Sequence, residues 1–229
     1  MANSDAGRLD VDRAIVVASG ARLPDHARAT LRADAFVIAA DGGVDAALAM
    51  GLTVDLAIGD LDSVTAAGLA QAEAAGARVE RHPAAKDATD LELALDAAVD
   101  LGAREIVVLA SGGGRLDHLL AAALVMAAPS RQGVRLAGWF GSTYLAVVTP
   151  TTPAHITAAP GSILTLLPVH GTARGVRTEG LEYPLHDEDL PGGTSRGVSN
   201  VFLGSSAEIS IGGGTVLAVV PTDPDEGPT

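Results

Sequence analysis

The chain has 229 residues, 48% of them apolar and only 3% aromatic, so it can bury a sizeable core built from Ala, Val, Leu and Ile, as one large domain or two small ones. A formal charge of −13 argues against nucleic acid or an anionic membrane as the main partner, because both call for a basic face, and an anionic substrate would need a metal or a local cluster of cations. With no cysteine to form disulfides or thiolate sites, a polar segment over residues 1–13 and no apolar run of the ~18 residues that a span requires, a soluble cytoplasmic protein is expected.

In chain order, residues 14–18, 35–40, 56–58 and 105–110 are short continuous apolar runs, the pattern of strands buried on both faces. Alanine-rich helical stretches alternate with them. Residues 64–75 follow Ser63 as an N-cap and stop at Gly76. Residues 90–101 open with Thr89 and Glu92 in capping-box spacing and close at Gly102, and residues 116–128 make a third helix. This alternation predicts a parallel sheet with helices on both faces, a Rossmann-like α/β/α domain whose ligands bind beyond the carboxyl ends of the strands. After Pro129 the texture changes. Residues 134–140, 143–148, 163–168, 175–179, 198–203, 207–211 and 215–220 read as short strands between Pro, Gly and Asn or Asp, which predicts a C-terminal β-sandwich or small barrel. The boundary is placed at 149–153, giving domains 1–149 and 150–229, with an acidic, Pro-rich and disordered tail from 222.

The chemistry concentrates where those strands should end. Asp41-Gly42-Gly43 closes the second strand. Asp60-Leu61-Asp62 follows the third, and in an extended segment carboxylates two residues apart point to one side, where they can share Mg2+. The alternative there is a turn with Asp62 or Ser63 capping the next helix. Lys86-Asp87-Ala88-Thr89-Asp90 contains the only lysine, beside fourteen arginines, as if the position needed a compact ammonium. Thr89 reads as a helix cap and Asp90 as complementing the helix dipole, whereas Lys86 and Asp87 are otherwise a solvated pair. Ser111-Gly112-Gly113-Gly114-Arg115 precedes a helix carrying Asp117 and His118. Its glycines let backbone amides approach a phosphate and Arg115 offers a bidentate contact, although this is not a P-loop. His118 alone more often packs or faces solvent.

Taken in order and spacing, Ala40-Asp41-Gly42-Gly43, Ile58-Gly59-Asp60-Leu61-Asp62-Ser63, Lys86-Asp87-Ala88-Thr89-Asp90-Leu91-Glu92, Gly113-Gly114-Arg115-Leu116-Asp117-His118, Gly180-Leu181-Glu182-Tyr183-Pro184-Leu185 and Val198-Ser199-Asn200 resemble the motifs of the thiamine pyrophosphokinase family across nearly the whole chain. The resemblance implies transfer of a diphosphoryl group from ATP to the hydroxyl of thiamine, by a homodimer with thiamine at the subunit interface. It implies Asp60, Asp62 and Asp90 as Mg2+ ligands with Asp87 and Asp117 close by, Lys86 and Arg115 on phosphates, and Ser199 and Asn200 on thiamine. Asp41, Gly42, Gly43, Thr89, Gly113, Gly114 and His118 complete the nucleotide-side set, and Asp90 or Asp117 is the acceptor of the hydroxyl proton. Some members carry a tryptophan near the Ser-Asn segment; here the only tryptophan is Trp139, far upstream, and Phe202 stands as the substitute. A diphosphokinase acting on a pterin alcohol, a metal-dependent phosphohydrolase and a non-catalytic nucleotide sensor are the alternatives.

Overall fold

The computed structural model describes residues 11–24, 27–28 and 31–221, so the expectations for residues 1–10 and for the tail from 222 lie outside the described residues. The chain divides into two compact units, Met1–Leu109 and Ala110–Thr229. This division falls upstream both of the change of texture after Pro129 and of the boundary expected at 149–153.

In the first unit, strands β1 (Arg13–Val17), β2 (Phe36–Ala40), β3 (Leu56–Gly59), β4 (Arg78–Arg81) and β5 (Glu105–Ala110) pair in parallel in the order β4-β3-β2-β1-β5. Their continuous apolar runs have the expected cause: Val16, Val17, Ile38, Ala39, Ala57 and Ile106 are at most 2% exposed. Fully burying an aliphatic side chain of this kind stabilises by roughly 1.5–3 kcal/mol. Helix α3 (Asp90–Asp100) packs on β1, β2 and β3, while α1 (Gly43–Ala49) packs on β1 and β2 and against α2 (Ala66–Ala74). The strand order turns back on itself at β1, the kind of switch point beside which open α/β sheets bind ligands at the carboxyl ends.

Three features of this unit differ from the sequence expectation. α2 is capped by Thr65, whose hydroxyl accepts from the Gly68 amide at 3.0 Å, and not by Ser63. Asp45 fixes that cap, because its carboxylate accepts from both the amide and the hydroxyl of Thr65 at 2.7 Å. β4 has no apolar run to announce it, being a charged edge strand, Arg-Val-Glu-Arg. α1 is too short to show a period. It begins at Gly43, where an added Cβ would collide with the Val17 carbonyl, so glycine lets the helix start directly against β1.

The second unit begins with α4 (Leu116–Met126), followed by strands β6 (Arg135–Phe140), β7 (Thr143–Val148), β8 (Ala154–Thr157), β9 (Ile163–Glu179), β10 (His186–Leu190), β11 (Asn200–Val201), β12 (Ser206–Ser210) and β13 (Gly213–Val220). All the strand pairings within it are antiparallel, in the order β6-β7-β13-β9-β12-β8 with β10 and β11 also on β9. Its core gathers Leu164, Leu166, Val176, Leu181, Phe202, Ile209 and Val216. The two runs expected at 163–168 and 175–179 are one 17-residue strand. His170 and Gly171, both at positive φ (58° and 119°), bend it, so that its first half pairs with β13 and its second half with β10 and β12. Of the run expected at 198–203, Asn200–Val201 form a short strand on β9 and Phe202 makes an isolated bridge with Leu181. The charged β10 and short β8 had no clear apolar alternation.

Candidate active site

In the first unit the carboxyl ends of β2 and β3 carry Asp41 and Asp60-Leu61-Asp62. Oxygens from Asp41, Asp60 and Asp62 lie within 4.8 Å of one another. The convergence is not made by an extended segment. Leu61 adopts φ 59° and turns its side chain inward to 8% exposure, and the Asp62 amide donates to Asp60 Oδ1 at 3.4 Å. A leucine in the left-handed region is strained, and strain of this sort is held only where surrounding contacts over-determine it. Here the buried leucine is the anchor, and it leaves the flanking carboxylates to face outward. Asp41 also has positive φ, 49°, is 9% exposed, and accepts the Ser63 amide on Oδ1 at 3.1 Å. Ser63 Oγ donates in turn to Asp62 Oδ1 at 2.9 Å, so the loop is tied to β2 at the position where the carboxylates meet.

Lys86 and Asp90 join this group from the segment that leads into α3. Lys86 Nζ is 2.8 Å from Asp90 Oδ1 and 3.7 Å from Asp60 Oδ2, with only 15% of its side chain exposed. The bonded Asp90 carboxylate, opposed by partial burial and helped by Asp60, raises the lysine pKa above its ordinary 10.5. Thr89 caps α3 as its sequence promised, accepting the Glu92 amide at 3.2 Å. Gly59 makes the approach of Asp90 possible. At φ 137°, a Cβ there would stand 2.7 Å from Asp90 Oδ1. Asp87 is exposed on the same loop, and Gly42 and Gly43 start α1 beside Asp41. Asp60, Asp62, Lys86 and Asp90 are thus brought together, with Asp41 as a further candidate ligand. The signal for it in the sequence was its place at the end of a strand.

The remaining expected residues belong to the second unit. Arg115 and Asp117 form an exposed bidentate pair, with Nε to Oδ1 at 3.2 Å and Nη2 to Oδ2 at 2.6 Å. The hydrogen-bonded guanidinium holds the Asp117 carboxyl down at about 2. Gly113 and Gly114 lead into α4, with the Gly113 amide on Ser111 Oγ at 3.3 Å, and His118 is exposed. Ser199 is exposed at φ 60° with its amide on Thr165 Oγ1. Asn200 is a different case. It is 8% exposed, and its side chain accepts from the Tyr183 amide at 3.0 Å and donates to the Tyr183 carbonyl at 2.8 Å. Its amide is therefore committed to fixing the backbone of Tyr183. Phe202 is 1% exposed, a core side chain with no free face, and Trp139 is buried at 9%. Tyr183, by contrast, is 63% exposed, the only exposed aromatic of the chain's six.

A cavity of about 760 Å³ opens elsewhere in the first unit, lined by Arg13, Arg32, Asp34, Phe36 and Asp55 at the amino ends of the strands. Arg13 there takes up the carboxylates of Asp12, Asp34 and Glu105, at 4.0, 3.3 and 3.5 Å, so size alone does not make it the reactive site. Among the described residues, no helix is long and apolar enough to cross a membrane.

Two family models match the chain: the thiamin pyrophosphokinase catalytic domain over residues 27–137, and the thiamin pyrophosphokinase vitamin B1 binding domain over residues 153–216. The thiamine pyrophosphokinase of Bacillus subtilis (strain 168) is 24% identical over 186 residues, which cover 81% of this chain and 87% of that protein. The crystal structure of the Bacillus subtilis thiamine pyrophosphokinase superposes with a TM-score of 0.76 at 23% identity, covering 92% of this chain and 99% of that one. That of the Geobacillus thermodenitrificans thiamin pyrophosphokinase gives 0.74 at 26% identity, covering 93% and 99%. Both halves of the chain, the acidic parallel unit and the antiparallel unit, are thus matched by models of one family, and the chain belongs to the thiamin pyrophosphokinase family.

Proposed function

We propose that the acidic loops of the first unit position ATP for transfer of its diphosphoryl group to the hydroxyl of thiamine, giving thiamine diphosphate and AMP, the thiamine diphosphokinase reaction of the family to which the chain belongs. The observation that carries the reading is the convergence of Asp41, Asp60 and Asp62 beside the Lys86 ammonium at the strand ends. A set of carboxylate oxygens with no nitrogen or sulfur donor fits Mg2+. Asp60 and Asp62 would hold it, with Asp41 and Asp90 adjoining, and when bound it would neutralise phosphate charge that otherwise repels an alcohol nucleophile.

The chain's own residues supply position and proton transfer. Lys86 contacts phosphate oxygens as a point charge, and the amides of Gly113 and Gly114 with the Arg115 fork take the rest of the polyphosphate. The hydroxyl proton passes to Asp90 or to Asp117, the first bonded to the Lys86 ammonium and the second to the Arg115 guanidinium in the substrate-free protein. On the thiamine side Ser199 offers its hydroxyl. Asn200 acts by holding Tyr183, whose exposed ring is suited to a cationic heteroaromatic substrate. The reading includes a Rossmann-like α/β/α catalytic part within residues 1–149, a β-sandwich part for thiamine and dimerisation within 150–229, a homodimer with thiamine at the subunit interface, and a cytoplasmic setting where ATP is at hand. The separate matches at 27–137 and 153–216 support this division of labour.

The test is incubation of the protein with ATP, Mg2+ and thiamine, followed by product analysis. Equal amounts of AMP and thiamine diphosphate are expected. Release of inorganic phosphate without thiamine diphosphate, or no turnover, overturns the reading.

A further inference from the structure

Lys86 stands in an unusual place for a surface cation. It lies on the loop before α3, yet its ammonium is held by carboxylates from the start of α3, Asp90 Oδ1 at 2.8 Å, and from the loop after β3, Asp60 Oδ2 at 3.7 Å, and its side chain is 15% exposed. Asp90 sits in the first turn of α3, where the helix dipole favours its negative charge and disfavours a positive one. An ammonium is stable there because several carboxylates gather, with Asp41 and Asp62 beside Asp60. The position is that of a cation bound by acidic loops, and Lys86, the only lysine of the chain, is the group that occupies it.

We propose that Lys86 is a built-in counter-ion that competes with a divalent cation for Asp60 and Asp90, and that its ammonium exchanges from these carboxylates to substrate phosphate when a metal–nucleotide enters. The inference rests on the reading of these loops as the metal–nucleotide site. Its physical basis is charge. A divalent ion on Asp60 and the ammonium on the same residue repel one another, so either the metal binds weakly or the lysine departs. Phosphate oxygens give the departing ammonium an equivalent partner. In the substrate-free protein they are absent, so free metal should bind poorly. The same exchange frees Asp90 Oδ1 at the moment when a proton acceptor is wanted.

The experiment is titration of the substrate-free protein with Mn2+ alone, followed by calorimetry and by the electron spin resonance of the free ion. Lys86→Gln should bind Mn2+ tighter than the wild type by roughly tenfold or more, whereas Lys86→Arg, which keeps the charge, should stay near the wild type. Equal or weaker binding by Lys86→Gln, or equal tightening by Lys86→Arg, overturns the proposal. A second measurement needs no variant. With lysine labelled at its ε-carbon, the wild-type chain has a single lysine signal, that of Lys86. Saturating Mg2+ should move this signal, and adding a non-hydrolysable ATP analogue should move it again. A signal that ignores both overturns the exchange. The ATP and thiamine assay separates this outcome from the function: turnover with no change in metal affinity sinks only the counter-ion, and tightened metal binding without turnover sinks only the reaction.

Discussion

The inward turn of Leu61 decides what Asp60 and Asp62 can do. Because the leucine is buried at φ 59°, both flanking carboxylates are presented with little freedom, and conversion of either to an amide removes a charge without removing the fold's anchor. Asp60→Asn and Asp62→Asn should each lower kcat by about 100-fold or more, with an unchanged circular dichroism spectrum, since loss of even an outer partner of a metal commonly costs ~10 to 100-fold. Near-normal turnover at saturating Mg2+ in both would remove them from the ligand set. Asp117 gives a pH test. A depressed folded pKa, about 2, means the carboxylate is charged at every pH above that value, and whatever the charge contributes is lost only as pH falls through it. An acid limb of the activity profile between pH 4 and 7, if one is measured, should therefore be unmoved in Asp117→Asn even when the rate falls; a limb that shifts or vanishes would mark Asp117 as the titrating base. Tyr183 and Phe202 contrast most clearly. Tyr183→Ala should raise the KM for thiamine roughly tenfold, with the KM for ATP and the melting temperature unchanged, as expected for an exposed ring facing a cation. Equal effects on both substrates would show that Tyr183 has no separate thiamine role.

At the scale of elements, α3 was the most legible part of the sequence. Thr89, Glu92 and Gly102 marked both ends, and the structure places the Thr89 hydroxyl on the Glu92 amide and Gly102 at φ 98°. Thr89→Ala should cost about 1 kcal/mol. For a chain of this length that is a fall of roughly 2–4 °C in the melting temperature, readable by calorimetry. It should also loosen the Lys86–Asp90 pair, because the cap fixes where the first turn begins. A melting point that does not move would mean that the helix start is held by tertiary contacts instead. The parallel strands were legible for a related reason: burial on both faces demands continuous apolar runs, and those at β1, β2, β3 and β5 have no rival explanation. β4 and β10 lacked that signal, since edge or half-exposed strands can be made of Arg, Glu, Asp and His. The cap of α2 is not legible in the local sequence because Asp45, distant in sequence, selects Thr65 over Ser63. The same limit applies to the site. Spacing could announce Asp60, Asp62, Lys86 and Asp90, but that Asn200 is spent on Tyr183, and that Phe202 is core, are facts of tertiary packing.

For the whole molecule, the proposed reaction calls on residues from both parts of the chain. The acidic group and Lys86 lie in the first unit, while Ser199, Asn200 and Tyr183 lie in the second, and a homodimer with thiamine at its interface would let one subunit supply the carboxylates and its partner the aromatic face. Mixing a chain impaired in its carboxylates with a chain impaired in thiamine binding, assayed at thiamine well below the KM of the second, distinguishes this from a site built within one chain. Asp62→Asn removes a carboxylate and leaves the thiamine residues untouched. Asn200→Ala removes the hydrogen bonds that hold Tyr183 and leaves the acidic loops untouched. If sites are shared, a hybrid dimer of the two contains one site with both groups mutated and one with both intact. Random exchange makes about half of the dimers hybrid, so activity should return to about a quarter of the wild-type value. If each chain builds its own site, every site in the mixture carries one lesion and no activity returns. Hybrids can be verified by tagging one chain and isolating the doubly tagged dimer by mass, and each variant must first be shown to fold and to dimerise alone. Recovered activity that rises and falls with the hybrid fraction is the expected result; verified hybrids without activity, or an active monomer, would mean that the carboxylates and the thiamine contacts of one site come from the same chain.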